Sequence, residues 1–206
     1  MRRYAGNLPG FEGGRRQGQR GQALVEFAFG FVVLLILLSG LLDLSRAFHY
    51  DIGLEGAARA GARHGAFYQV NISQQPYLDD NDIKTAVDEV LLGDGLNTST
   101  LKTSAACLTP TDSNKWYDPP YASSAYPSSN DSPYLYICYD TQTQKLGTLA
   151  APPAPGSTTW TGKDLCVVVL DRYGLFGGLS SEYLTNGSSI TSITLTAFDH
   201  FAVQGA

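Results

Sequence analysis

Residues 27–42 read FAFGFVVLLILLSGLL, sixteen positions without a charge, and Ala23, Leu24 and Val25 extend the run on the far side of one carboxylate, Glu26. That makes about 20 apolar residues, the length a helix needs to cross roughly 30 Å of hydrocarbon. A buried helix of a water-soluble core normally keeps a polar face, and this run has none over four turns. The stretch therefore reads as a membrane-spanning helix, and the rest of the chain is interpreted from its two flanks.

Those flanks differ in charge. Arg2, Arg3, Arg15, Arg16 and Arg20 against Glu12 leave residues 1–20 at +4, whereas the chain from Asp43 onward carries −8, within a total of −5. The excess of arginine on the N-terminal side places a basic leader, residues 1–21, in the cytoplasm and the remainder outside. With 206 residues there is room for one domain of ordinary size beside the helix. Charged residues are only 16% and the balance is acidic, which argues against nucleic acid as a partner. A charged segment before an apolar stretch also describes a secretory signal, and Ser45-Arg46-Ala47 offers small residues around a cut after Ala47. The apolar run is too long for that reading, and Asp43 and Arg46 stand where such a site is normally uncharged.

A carboxylate within an apolar helix costs up to about 2.5–3.5 kcal/mol at mid-membrane and less near the interface, so Glu26 calls for a partner or a purpose. The basic leader ends in Arg20-Gly21, and Glu26 is the fifth residue after that glycine, beside Phe27 at the head of the helix. A cut after Gly21 would leave a new ammonium on Gln22 about one turn from Glu26, and two such helices side by side would neutralise each other's charges in lipid.

The segments RGQALVEFA (residues 20–28), GLLDLSRAF (40–48) and LEGAARAGAR (54–63) together resemble the N-terminal region of TadE/TadG-like proteins of the tight-adherence pilus system. The resemblance spans about residues 18–68, and the moderate chain length is similar to the TadE type. It implies a bitopic inner-membrane protein and a non-enzymatic minor pseudopilin cut by a prepilin peptidase between Gly21 and Gln22, with Glu26 as the position-five glutamate. Partners implied are the inner membrane, the peptidase, other pilins or pseudopilins and pilus assembly proteins. An unprocessed bitopic TadG-like envelope protein binding surface ligands is the alternative within the resemblance, and a secreted domain released after Ala47 is the alternative outside it.

Beyond the membrane the helical pattern continues to about residue 68. Gly53, Ala57, Gly61 and Gly65 recur every four residues, so one face is nearly free of side-chain bulk. Interior glycines each cost roughly 1 kcal/mol of helix stability, which calls for a close packing partner. Either the protein's own domain or a neighbouring pilin-like subunit satisfies that demand. Glu55 and Arg59 stand in the favourable order for an i,i+4 pair.

Residues 69–206 read as an exported α+β domain. Asp79-Asp80-Asn81-Asp82 followed by Ile83, Ala86, Val87, Val90 and Leu91 predicts an N-capped amphipathic helix ending near Gly93. The acidic cluster lacks the ligand spacing of a calcium loop, so capping is favoured over metal. Segments 110–133 and 147–162 are rich in Pro, Ser, Tyr and Gly and read as irregular loops. Tyr117, Tyr121, Tyr126 and Tyr134 there serve either loop packing or a partner. Residues 134–139, 165–170 and 190–198 read as strands, in the last of which Ile193, Leu195 and Ala197 alternate with Thr194, Thr196 and Phe198. A small antiparallel sheet packed on the extension of the membrane helix gives a pilin-like α+β subunit.

Cys107, Cys138 and Cys166 all fall on the exported side, where disulfides persist. Cys107 with Cys138 is the preferred pair and Cys166 the alternative partner. His49, His64 and His200 are scattered, and no nucleophile triad, zinc spacing or phosphate loop is present. Neither a cofactor nor a metal is expected. The Asn-x-Ser/Thr triplets at Asn71, Asn97, Asn130 and Asn186 have no consequence in a bacterial protein.

Overall fold

The computed structural model describes residues 16–67, 79–102, 107–108, 110–112, 119–139, 145–146, 164–175 and 192–203. Helix α1, Arg16–Ala66, contributes to two compact units, Met1–Leu42 and Asp43–Ala206. In the first unit its apolar side chains are largely exposed: Leu24, Phe27 and Phe29 are 69, 69 and 74% exposed. The apolar window reaches a mean hydropathy of 2.5, and none of it is buried within the protein. An all-round apolar surface on a helix this long needs lipid or other helices in place of water, which makes α1 a single-pass membrane anchor by length and composition.

The second unit forms around the remaining turns of α1. Helix α2, Asp80–Gly93, lays Ile83, Val87 and Leu91 at i, i+4 and i+8 into the core. Asp79 caps it as anticipated, its Oδ1 accepting hydrogen bonds from the backbone N–H groups of Asn81 at 3.0 Å and Asp82 at 3.1 Å. Strands β1 (Thr100–Leu101), β2 (Tyr134–Tyr139), β3 (Lys145–Leu146), β4 (Asp164–Gly174) and β5 (Ser192–Ala202) form one sheet in the order β1-β2-β4-β5, with β3 also paired to β2. The three longer strands are antiparallel, as expected, but β1 runs parallel to β2 and makes the sheet mixed.

Strand period two divides the sheet into faces. Leu135, Ile137 and Tyr139 of β2, Leu165, Val167 and Val169 of β4, and Ala197 with the half-buried Leu195 and Phe201 of β5 pack with the helices. Tyr136, Cys138, Cys166, Val168 and Leu170 point the other way, into a second cluster closed by Cys107 and Tyr121 and flanked by Leu108, Ala125 and Tyr126. Central strand β4 is covered on both sides, which explains its unbroken apolar run LCVVVL. From the 110–133 region, Tyr121, Ala125 and Tyr126, around a 3₁₀ turn at Ser123–Ala125, belong to this outer layer. The 147–162 region and Tyr117 lie outside the described residues.

The small-residue face of α1 meets its own domain. Gly53, Ala57, Gly61 and Gly65 are all buried. A Cβ at Gly61 would collide with Val87 of α2 and sit 3.4 Å from Val167 of β4, and one at Gly65 would collide with Leu165 and Ile83. Val87, Leu165 and Ile83 have no exposed surface and no room to withdraw. We expect Gly61→Val to destabilise the Asp43–Ala206 unit by about 2 kcal/mol or more. Gly56→Ala, where a Cβ meets only Val90 at 3.6 Å, should be neutral or stabilising by up to about 1 kcal/mol. Denaturant titration of the detergent-solubilised protein measures both, and equal effects at the two positions would contradict the packing argument.

Candidate functional site

At the head of α1 the predicted processing and charge residues share a short stretch of helix. Gly21 and Gln22 are exposed, and a Cβ at Gly21 would meet nothing within 4 Å. Gln22 Nε2 donates to Glu26 Oε1 at 3.0 Å, the i,i+4 spacing of one helical turn. Phe27 stacks on Phe31, ring centroids 5.9 Å apart, next to that carboxylate. Residue 22 and Glu26 are thus in direct contact, so any charge created at residue 22 would be felt by Glu26. Ala47, the last residue before the alternative cut, is 6% exposed within α1.

Arg59 does not serve Glu55 in the manner the spacing suggested. Its Nε instead bonds Asp199 Oδ2 of β5 at 3.3 Å, linking helix to edge strand. The pair is more than half exposed on the arginine side and contributes little to stability. The cluster at residues 79–82 is divided among three tasks: Asp79 caps α2, Asp80 accepts from Tyr139 Oη at 2.7 Å, and Asp82 bonds His64 Nε2 at 2.8 Å. Burial raises the carboxyl pKa of Asp80, against the lowering effect of the Tyr139 hydroxyl. The same burial, with the Asp80 charge beside it, pushes Tyr139 well above its ordinary value. Among the described residues no group of three or more His, Cys, Asp or Glu side chains is arranged to hold a metal ion. His49 is near the Asp94 carbonyl oxygen at 3.2 Å, and His200 is exposed on β5.

Cys107 and Cys138 form a disulfide, with Cα atoms 5.8 Å apart, while Cys166 is buried outside the bridge. The bridge joins the 107–108 segment to the sheet. The tyrosines tie the next stretch down: Tyr136 Oη donates to the Ala125 carbonyl at 2.8 Å, and Tyr126 Oη lies 2.7 Å from Thr196 Oγ1. Tyr121, Tyr126 and Tyr134 therefore have packing roles in the outer layer.

One carboxylate escaped the sequence reading altogether. Asp171 on β4 has no exposed surface. Its Oδ1 accepts from the backbone N–H groups of Ser132 at 3.0 Å and Arg172 at 2.7 Å, while Oδ2 has no hydrogen-bond partner among the described residues. Burial pushes its pKa up to about 6 despite those two N–H groups, and Asp131 nearby adds to the rise. Tyr50 of α1 and Tyr173 of β4 pack ring to ring at 4.9 Å, and the charges of Asp131 and Asp171 help to raise the pKa of Tyr50, after burial itself. Nothing in the sequence marks Asp171 as buried, because it follows the apolar run LCVVVL next to Arg172 and reads as the polar end of that strand.

Because this carboxyl is harder to ionise when folded, the folded state holds more protons than the unfolded chain between about pH 4 and pH 6, and Asp171 lowers stability as pH rises across that window. Asp171→Asn keeps an oxygen for both N–H groups and carries no charge. Relative to the wild type it should gain about 2 kcal/mol between pH 4 and pH 7. Unfolding midpoints of the two proteins measured across that range check the sign, and a constant difference would refute the assignment.

No curated protein and no solved structure matches the chain. Residues 21–63, from Gly21 to Arg63 near the end of α1, match the family model described as TadE-like protein.

Proposed function

We propose that this protein is a non-enzymatic minor pseudopilin-like component of tight-adherence pilus assembly. The observation that carries the reading is the TadE-like match beginning at Gly21, together with Glu26 five residues further on in an exposed apolar helix. In this reading the N-terminus is cytoplasmic, α1 is anchored in the inner membrane, and the Asp43–Ala206 unit is exported. A prepilin peptidase recognises the arginines and Gly21 and cuts before Gln22. The cut removes the leader charge of +4 and creates an ammonium on the residue whose side chain already touches Glu26. In lipid, a carboxylate and an ammonium on adjacent helices satisfy each other, which sets the axial register of one subunit against its neighbour. Other pilins or pseudopilins are the neighbours this requires. The Asp43–Ala206 unit already uses the glycine face internally, so contacts between subunits fall to the lipid-exposed part of α1 and to the outer surface of the exported unit.

The first residue and intact mass of the protein from its own membranes, with and without the cognate peptidase, test this directly. We expect a start at Gln22 that depends on the enzyme. A start at Met1 would replace the proposal by an unprocessed TadG-like anchor, and a start at Phe48 by a secreted domain. Glu26→Gln should leave the membrane level of the protein unchanged while lowering pilus assembly about tenfold or more, the equivalent of roughly 1.4 kcal/mol in subunit association. Normal assembly in that variant would reduce Glu26 to a boundary residue.

A further inference from the structure

Three sulfurs meet on the outer face of the sheet. Cys138 of β2 and Cys166 of β4 are direct cross-strand partners in the antiparallel register. Both side chains belong to the cluster that also holds Cys107. Residues directly opposite each other in antiparallel strands have Cα atoms about 4.5–5.5 Å apart, inside the span of about 4.4–6.8 Å that a disulfide bridges. Cys138 is therefore bridged to one cysteine and stands directly opposite another.

The geometry points to a thiol–disulfide exchange site, in which Cys166 displaces Cys107 from Cys138. The Cys166 thiolate attacks Cys138 Sγ, the Cys107–Cys138 bond breaks, and its electron pair leaves on Cys107 Sγ. Cys107 then takes up the proton that Cys166 gave away. One disulfide and one thiol stand on each side of the step, so no oxidant or reductant is consumed. Chain entropy does not choose between the products, since Cys107 and Cys138 are 31 residues apart and Cys138 and Cys166 are 28 apart. What changes is the element that is held. The first bridge fastens the Cys107 segment onto the sheet. The second joins two strands already paired over six positions and leaves the outer layer to its hydrogen bonds, such as Tyr136 Oη to Ala125 and Tyr126 Oη to Thr196. All three cysteines are at most 3% exposed. Buried in this way the sulfurs are reached only when the outer layer opens, so the exchange proceeds through that opening and is accelerated by a small-molecule thiol. The inference is independent of the pilus reading.

Lys102, Lys115, Lys145, Lys163 and Arg172 place the three cysteines on separate tryptic peptides, residues 103–115, 116–145 and 164–172. The full-length protein in detergent is equilibrated with a catalytic amount of glutathione, its thiols are blocked, and it is digested without reduction. We expect the 116–145 peptide linked to 103–115 and, in about a tenth or more of the bridged material, to 164–172. In Cys107→Ala the 116–145/164–172 pair should become the main species, and in Cys166→Ala it should vanish. Exclusive 103–115/116–145 linkage in the equilibrated wild type overturns the proposal even if Cys107→Ala fails to fold. Blocked thiols at both Cys138 and Cys166 in a folded, air-oxidised Cys107→Ala protein overturn it equally.

Discussion

The Asp43–Ala206 unit depends on how closely α1 approaches α2 and β4. At Gly61 and Gly65 there is no space for even one carbon between the helix backbone and Val87, Ile83 and Leu165. That proximity lets Leu54, Ala57, Ala58, Ala62 and Ala66 share a single core with the inward rows of β2 and β4. Glycine in a helix is costly on its own, and the cost is recovered only where the apolar surfaces it brings together exclude water. The same helix is apolar from Phe27 to Leu42 and small-faced after Asp43, one surface suited to lipid and the other to a protein interior.

With one sheet face committed to the helices, the other must be covered or left wet. A layer with little regular structure covers it, held by the Cys107–Cys138 bridge and by tyrosine hydroxyls that reach the Ala125 carbonyl and Thr196. Tyrosine suits this position because its ring fills apolar space while its hydroxyl satisfies a polar atom that the loop backbone would otherwise bury unpaired. The bridge matters for the same reason, since the described part of this layer has one short 3₁₀ turn and few backbone bonds of its own.

Polar groups enter this interior under restraint. Asp80 and Tyr139 satisfy each other across the helix–sheet junction. Asp171 holds the Asp131–Ser132 turn through the Ser132 N–H while its second oxygen goes without a partner among the described residues. A carboxyl kept near a pKa of 6 in this way gives the unit a stability that responds to mild acid.

Periodicity and charge were enough to recognise the apolar part of α1, the capped helix after Asp79 and the three longer strands, because each is a local property of fewer than about 20 residues. Glu26 and its relation to Gly21 were legible in the same way, as spacing along one helix. The destination of the Gly53–Gly65 face, the choice of Asp199 over Glu55 by Arg59, the parallel edge strand β1 and the burial of Asp171 were not. Each depends on which distant segments meet, and a strand that reads LCVVVLD does not say which residue will face a helix and which a loop. The sequence by itself determined where the chain leaves water, where its helices begin and which residues alternate. Only the tertiary structure decided what fills the space beside each glycine and which cysteine stands opposite Cys138, because those are set by the closing of one core around contacts that lie tens of residues apart.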